Sequence, residues 1–425
     1  MIVRQDGLLS GPVNFMAPTQ NRPLIIFILG ALSTISPFAI DMYLPAFPEM
    51  AAGLHTTTAR ISLSLSSYFA GFAAAQLIYG PLLDRFGRKP PLYFGMILFV
   101  AASVACMVSH RVEWLISWRF VQALGGCAAA VAAMAMVRDF FPARDTAKII
   151  SLLILVISAS PFLAPSIGMF VAVNLGWKWV FIVLSLFALV MLAVAAFVLP
   201  VGYEPDKNLK MRPLPILRNY LEVLKEPQFL VYALASAFAF SGLLVYVASA
   251  PIVFMEVFHV NTKQFSAIFA GLAVGFIGSN QVNILLLRKF SSEQIFRWAM
   301  IGVCPLGTLL LVGTIAGWFG LWATLALLFV TLSALGLCAP NGSALALVPF
   351  DHNIGSASAM LGFLQLGVAG LASACVGIFD SHTLMPVALV LAVTSWIGLA
   401  ILLAGKKRIP QLRFVEEKAA HQLPH

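Results

Sequence analysis

The feature that most constrains this chain is a succession of long apolar segments. Windows of about twenty residues, the length of helix that crosses the hydrocarbon core of a bilayer, recur from residue 23 to residue 404. They fall into two groups of six on either side of a polar interruption. We therefore expect an all-α membrane protein with twelve transmembrane helices in two six-helix halves. The predicted spans are 23–47, 60–82, 91–109, 113–137, 149–172, 176–199, 227–254, 264–288, 295–315, 320–346, 354–379 and 383–404.

The polar stretches between and around these spans divide the chain into regions. The longest interruption contains several prolines and basic residues, and Leu217, Leu221 and Leu224 share one face of a short amphipathic helix within it. Such a helix would lie at the membrane interface. The predicted regions are an N-terminal segment (1–22), an N-terminal half (23–199), a linker (200–226), a C-terminal half (227–404) and a tail (405–425).

The distribution of basic residues predicts the orientation. Only 10% of residues are charged, 60% are hydrophobic and the mean hydropathy is +0.94, so the net charge of +9 does not indicate nucleic-acid binding. Most cations lie in alternate connections, and the other side carries only Arg60, Arg111, Lys178 and Lys263. Because short cytoplasmic loops gather Lys and Arg, the termini, the linker and the connection 80–89 are predicted to be cytoplasmic.

The connection after the second span reads GPLLDRFGRK, from Gly80 to Lys89. Asp84 could accept hydrogen bonds from a neighbouring helix N-terminus, while the cations could pair with an acid of the next cytoplasmic loop, such as Asp139 or Asp145. Such a latch would favour one conformation. The alternative is that the cations only set orientation. The predicted latch comprises Gly80, Asp84, Arg85, Gly87, Arg88, Lys89 and Asp139.

Two charged residues lie well inside the spans and away from their ends, where a charge is costly and points to function. Asp41 stands far along the first span, and Arg119 lies six residues after Glu113 in the fourth. At a rise of about 1.5 Å per residue the two lie at similar depth, so they could pair. We predict that they couple proton movement to transport. The alternatives are that Asp41 caps a wet helix end and that Arg119 is a structural cation bonded to helix carbonyls.

The fifth span contains the helix-disturbing segment SASPFLAPSIG, from Ser158 to Gly168. Pro161 and Pro165 remove backbone donors, and Gly168 permits close approach of another helix. We predict a flexing or tightly packed helix. The alternative, a plain kink without a role in transport, would give the same sequence pattern. The small residues between Arg119 and Ala130 likewise predict close helix packing.

Amide and aromatic side chains within the spans are candidates for the wall of a central substrate cavity, although membrane aromatics also serve simple packing. The candidates are Phe38, Tyr43, Tyr68, Phe72, Gln76, Gln122, Phe238, Tyr246, Gln281, Asn341 and Gln365.

Other chemistries find little support in the sequence. The seven histidines lie in predicted connections or in the tail, and the five cysteines lie in apolar runs without CxxC spacing. We therefore expect no metal, no cofactor and no enzymatic activity. A channel is also disfavoured, since no repeated filter sequence and no ring of like charges is present.

Several of these stretches carry a family resemblance. GPLLDRFGRK and LISWRFVQALGG resemble the motifs of the second loop and the fourth span in twelve-span drug:proton antiporters of the major facilitator superfamily. SASPFLAPSIG is similar to their antiporter motif, with Ala164 where that motif often has Gly. AIDMYLPAFP, AQLIYGP, VRDFFP and SAPIVFMEVFHV resemble the bicyclomycin-resistance (Bcr/CflA) family.

This resemblance implies the major facilitator fold and a proton-driven multidrug exporter of the bacterial inner membrane. Protons would be the coupling ion, small amphipathic compounds the substrates and the lipid bilayer the surroundings. We expect a monomer. An exporter of an endogenous metabolite, such as an amino acid, peptide or siderophore, with the same fold is the alternative.

Overall fold

The structure is a computed structural model that describes residues 22–200, 213–350, 353–379, 383–407 and 409. Over these residues the chain is helical and contains no β-strand. The predicted N-terminal segment up to residue 21, the first part of the linker (201–212) and most of the tail lie outside the described residues.

Fifteen α-helices occupy the described part of the chain. They are α1 (Arg22–Asp41), α2 (Phe47–Gly53), α3 (Thr58–Phe86), α4 (Lys89–Met107), α5 (Val112–Phe140), α6 (Ala143–Ser158), α7 (Ser160–Leu175), α8 (Trp177–Phe197), α9 (Pro213–Lys225), α10 (Pro227–Pro251), α11 (Thr262–Leu286), α12 (Ser292–Ile315), α13 (Leu321–Leu347), α14 (Ile354–Ile378) and α15 (Met385–Lys406).

The twelve predicted spans are confirmed: the described residues form twelve helical segments long and apolar enough to cross a membrane. The first is longer than predicted, because α1 continues through a short 3-10 helix (Leu44–Ala46) into α2 and ends at Gly53. The fifth joins α6 and α7, and the seventh extends α10 by a π-helical turn to Val257. The protein is therefore a multi-pass, all-α membrane protein.

One helix in each half makes most of its packing contacts within that half. In the N-terminal half, α5 packs against α1, α3 and α4, and in the C-terminal half α10 packs against α13, α14 and α15. The predicted small-residue surface of the fourth span is confirmed, since every residue from Gly125 to Ala129 is buried. Two helix pairs, α3 with α14 and α7 with α11, make the main contacts between the halves.

The proline segment of the fifth span divides it into two helices. α6 ends at Ser158 and α7 begins at Ser160, directly before Pro161, whose missing N–H cannot continue the hydrogen-bond ladder. Gly168 then allows α7 to approach the end of α1, because a β-carbon there would overlap the carbonyl oxygen of Met42. The break and the close approach are both confirmed, whereas a role in transport remains a prediction.

The predicted amphipathic helix of the linker is present as α9. Its buried face differs from the predicted one: Tyr220 and Val223 are buried, whereas Leu217 and Leu221 are about half exposed. α9 packs against α10 and α14, and the hydroxyl of Tyr220 donates to the carbonyl of Leu77 on α3, at 2.8 Å.

That carbonyl is available because the residue four positions later is Pro81, which has no N–H to donate. Burial, and then the charge of Asp84, raise the pKa of Tyr220, so its hydroxyl keeps the donating proton. The linker helix therefore rests on the C-terminal half and is bonded to the N-terminal half.

Substituting Gly168→Ala should destabilise the protein, because the new β-carbon meets the backbone of Met42. Overpacking of this kind costs about 1–3 kcal/mol. Gly302→Ala in α12, where a β-carbon would meet nothing within 4 Å, should be neutral or stabilising. The midpoints of thermal unfolding in detergent measure both effects. Equal midpoints for the two variants would contradict the close approach of α7 and α1.

Candidate functional site

The halves meet at one end of the bundle and separate at the other. We call the end that carries the 80–89 connection the basic end and the other the opposite end. Ser66 of α3 and Ser373 of α14 share a hydrogen bond of 2.8 Å, and Gly377 abuts Leu63 further toward the opposite end. Ser266 at the start of α11 lies 3.4 Å from the carbonyl oxygen of Pro165. The opposite end is therefore closed.

A cavity opens at the basic end, between α3, α5 and α14. Its volume is about 690 Å³, within the range of pockets that hold drug-sized molecules. Phe72 and Gln76, which the sequence predicted as cavity residues, both line it. Its other polar lining was not predicted, because those residues lie at helix ends or in the linker. These residues include Asp84, Arg88, Arg138, Tyr220, Asn353, Ser356 and Ser358.

Asp41, the last residue of α1, lies buried where the two halves meet. Its exposure is 6%, so it is not a wet helix end. Ser160 at the start of α7 donates a hydrogen bond to its carboxyl group. Tyr246 of α10, in the other half, lies within electrostatic range of this carboxyl group. The short 3-10 helix that follows Asp41 contacts α10 and α11, so Asp41 lies next to the contact between the halves.

Arg119 lies wholly inside the N-terminal half and is fully buried. Its guanidinium group sits between the rings of Tyr43 and Tyr68, at 4.3 and 4.4 Å from their centroids. It donates to the side chain of Gln122 and, at 2.9 Å, to the carbonyl of Ala39. Stacking between aromatic faces offsets part of the desolvation of the cation.

The predicted pairing of Asp41 with Arg119 is wrong in this conformation: their side chains form no ion pair. Ala39 is among the last residues of α1, whose carbonyls lack partners within the helix and carry the negative end of its dipole. Arg119 satisfies one of these carbonyls, as the structural alternative proposed. Arg119 contacts α1 at the carbonyl of Ala39, whereas Asp41 is bonded to Ser160 of α7.

Four of the predicted cavity residues are instead buried within a half. Tyr43 and Tyr68 pack on Arg119, and Gln122 donates to the hydroxyl of Ser103 on α4, at 2.6 Å. Asn341 of α13 donates to Asn283 of α11, at 2.7 Å. In a membrane, amides and hydroxyls that bond between helices hold the bundle together.

The remaining cavity candidates lie away from the cavity at the basic end. Phe38 packs against Phe187, with ring centroids 5.7 Å apart, and Phe238 is partly buried on α10. Gln365 donates to the hydroxyl of Ser343 at 3.1 Å, and Gln281 is exposed on α11. Tyr246 is buried on α10, where its ring stacks on that of Phe269.

The predicted contact between the 80–89 connection and the end of α5 is confirmed. Arg88 forms a two-pronged ion pair with Asp139, with its Nε 2.7 Å from a carboxylate oxygen, and a second pair with Asp84 at 2.9 Å. Burial alone would lower the pKa of Arg88, but the hydrogen bonds and charges of Asp139 and Asp84 raise it above its usual value. Gly87 forms the turn with a φ of +81°, which favours glycine.

Two details of the predicted latch are corrected or left open. Among the residues that the structure describes, Asp84 pairs with Arg88 of its own connection and not with a helix N-terminus, although it lines the same cavity as the start of α14. A β-carbon on Gly80 would meet nothing within 4 Å, so close packing does not require glycine there. That the ion pairs favour one conformation remains a prediction.

Comparison with known proteins identifies the family. A profile of the Major Facilitator Superfamily matches residues 29–374. The chain belongs to this superfamily. It is 30% identical to the "uncharacterized MFS-type transporter YdgK" of Bacillus subtilis, with 92% of this chain and 98% of the relative covered.

Other relatives of this major facilitator carry resistance names. It is 29% identical to the bicyclomycin resistance protein homologue of Haemophilus influenzae, over 86% of this chain and 92% of the relative. It is also 29% identical to the chloramphenicol resistance protein of Pseudomonas aeruginosa, over 85% of this chain and 86% of the relative. Since the family consists of transporters, this major facilitator is a membrane transporter of small molecules and not an enzyme.

Solved structures share the major facilitator fold at low identity. A bacterial homologue of the human lysosomal transporter Spinster, in an inward-facing and occupied conformation, superposes with a TM-score of 0.71 at 14% identity, over 91% of this chain and 97% of that one. The D-xylose-proton symporter superposes with a TM-score of 0.69 at 16% identity, over 92% and 98%.

The substitution Arg119→Lys should destabilise this major facilitator. Lysine keeps the charge but cannot stack flat between two rings while donating to both Ala39 and Gln122. Losing one such bond to a charged group costs about 1.5–3 kcal/mol. Arg138→Lys, an exposed position on the same helix, is the matched control and should have little effect. Equal shifts of the thermal midpoint in both variants would contradict the packing role of Arg119.

A double-mutant cycle with Arg88→Gln and Asp139→Asn should show strong coupling. These side chains are only 11% and 13% exposed, so we expect a coupling energy of about 1–3 kcal/mol in unfolding free energy. The pair Arg218–Glu222 on α9, with exposures of 80% and 48%, is the control and should couple by about 0.3–0.5 kcal/mol. Additive effects at Arg88 and Asp139 would show that their contact does not stabilise the basic end.

Proposed function

We propose that this transporter exports small amphipathic compounds across a bacterial inner membrane in exchange for protons. The observation that carries the proposal is Asp41, a carboxyl group buried between the halves with no cation at ion-pair distance among the described residues. Within the described part of the chain, its hydrogen-bond donor is the neutral hydroxyl of Ser160.

A carboxyl group in this position suits proton coupling. An ionised carboxylate in a dry site without a cation is costly, so a closed conformation favours binding of a proton. When the halves separate, water reaches the carboxyl group and hydrates it, which lowers the free-energy cost of the ionised form. Since Asp41 lies where the halves meet, movement of the halves exposes it in turn to the two sides of the membrane.

The names of the relatives support export of drug-like compounds. Proteins named for bicyclomycin, chloramphenicol and multidrug resistance align with most of this chain. The cavity at the basic end combines Phe72 and Met134 with Gln76 and serine hydroxyls, a mixture suited to amphipathic molecules. The D-xylose-proton symporter has a similar fold, so this fold accommodates a coupling proton in that protein.

The distribution of cations supports the orientation. The basic end carries most of the lysines and arginines, so it faces the cytoplasm together with both termini. In this orientation the open cavity would admit substrate from the cytoplasm, and the closed end would face outward. We propose this inward-open arrangement for a single chain acting as a monomer.

The proposal gives Arg119 an indirect part. It does not pair with Asp41, but it bonds to the carbonyl of Ala39, two residues before Asp41 on α1. Arg119 is therefore a positioning residue that holds the end of α1, and with it Asp41, at the contact between the halves.

Substituting Asp41→Asn should abolish substrate-driven proton movement in proteoliposomes with an imposed pH gradient, because the amide cannot carry a proton through the cycle. The matched control is Glu49→Gln in the same span; Glu49 accepts a hydrogen bond from the backbone of Trp177, which glutamine can still accept. The control should retain proton exchange.

The assay is run with a panel of chloramphenicol, bicyclomycin, sulfonamides, amino acids and short peptides. Undiminished proton exchange in Asp41→Asn would remove this residue from the mechanism. Transport limited to the amino acids or peptides would favour the endogenous-metabolite alternative.

A further inference from the structure

The cavity at the basic end changes character along its length. One face of α5 lines it with the apolar residues Ala130, Val131, Met134 and Ala135, and this face ends in Arg138. Arg138 follows Ala130 by eight positions, so the apolar face extends about 12 Å into the protein below the charge. A molecule in the cavity would therefore meet apolar side chains deep inside and a cation at the mouth.

The wall that α3 contributes has the same order. Phe72 and Gln76 lie deep, whereas Asp84 follows Phe72 by twelve positions and lies about 18 Å closer to the basic end. The amide of Gln76 rests against the backbone of Gly362 on α14, because a β-carbon on that glycine would overlap the amide oxygen. The deep end of the cavity thus offers an uncharged hydrogen-bonding group, and the charged groups lie at the mouth.

Three charged residues line the cavity, and two of them neutralise one another. Arg88 donates to Asp84 at 2.9 Å and is also held by the two-pronged pair with Asp139. Arg138, by contrast, has no acid at ion-pair distance among the described residues and is exposed at the mouth. Arg138 is therefore the charge in the cavity that remains available to a bound molecule.

The residues around the mouth add to its positive charge. The 80–89 connection and the last turn of α5 together carry four cations and two acids, a net charge of +2. A cleft lined by one sign of charge raises the local concentration of molecules of the opposite sign. A carboxylate could pair with Arg138 without disturbing either ion pair of Arg88. An ammonium group would have to take Asp84 from Arg88 or remain unpaired beside Arg138.

We propose that the transporter selects its substrates by charge and prefers amphipathic compounds with an anionic group at one end. The inference rests on the proposed function, because it takes this cavity as the substrate site. The anionic group forms charge-assisted hydrogen bonds with Arg138 at the mouth, and the apolar part lies between α3 and α5. Neutral compounds bind less tightly and cationic ones least tightly. Arg138 is thus a residue that determines specificity.

The test compares three compounds that share one body and differ in charge. Chloramphenicol is neutral, its succinate ester carries a carboxylate and its glycinate ester carries an ammonium group. Each ester competes with radiolabelled chloramphenicol for the purified full-length transporter in an uncharged detergent, so neither membrane permeation nor a proton gradient affects the result. The succinate should bind about five- to tenfold more tightly than the glycinate at low ionic strength, and this ratio should fall as salt is added.

Arg138→Gln should reduce the ratio of the two affinities about three- to fivefold, because the cation at the mouth is lost. Arg138→Lys keeps the charge and should restore most of the preference. The matched control is Arg288→Gln, which removes an equal charge from an exposed position at the same end that does not line the cavity. The control should leave the ratio unchanged.

The outcomes separate failure of the inference from failure of the proposed function. If chloramphenicol binds but the glycinate competes as well as the succinate, the charge preference is overturned and the proposed export stands. Equal reductions of the ratio in Arg138→Gln and Arg288→Gln would show an effect of overall charge and would also overturn the role of Arg138. Failure of chloramphenicol and both esters to bind would overturn the inference together with the proposed export of such compounds.

Discussion

The charge of a cation buried within a transmembrane bundle must be balanced by polar or aromatic groups. In the N-terminal half, the groups that balance the charge of Arg119 come from several helices, which pack around it. No carboxylate pairs with it among the described residues; its charge meets two aromatic faces, an amide and the carbonyl end of α1. Gln122 continues the contact to α4 through Ser103. One guanidinium group therefore ties together α1, α3, α4 and α5, and any change in it is felt by four helices.

Asp41 differs from Arg119 in the origin of the groups that surround it. Arg119 is satisfied by groups of its own half, so its surroundings can stay constant while the halves move. Asp41 is bonded to Ser160 of its own half, and the 3-10 helix that follows it contacts α10 and α11 of the other half. A movement of the halves would change the environment of Asp41, and for this reason the proposed coupling is assigned to the acid and not to the base.

The spans, the small-residue surface of α5 and the Arg88–Asp139 contact could all be predicted, because they follow from hydropathy, residue size and charge along the chain. The actual partners of Asp41 and Arg119 could not be predicted, and the expected ion pair between them was wrong. Spacing from a helix end gives the depth of a residue, but the side of the helix that it faces depends on packing with other helices. The ion pair of Glu293 with Lys406 in the C-terminal half was missed because its partners lie on the first and last turns of helices far apart in sequence.

The hydrogen bond from Tyr220 to the carbonyl of Leu77, which Pro81 leaves without a helical partner, affects how the two halves can move. α9 rests on α10 and α14 but is fastened by one hydroxyl to α3, so it bridges the joint about which the halves would turn. A hydrogen bond tolerates little stretching before it is lost. The linker helix therefore permits small movements of the two halves. During a large movement, either the hydrogen bond from Tyr220 breaks or α9 moves together with α3.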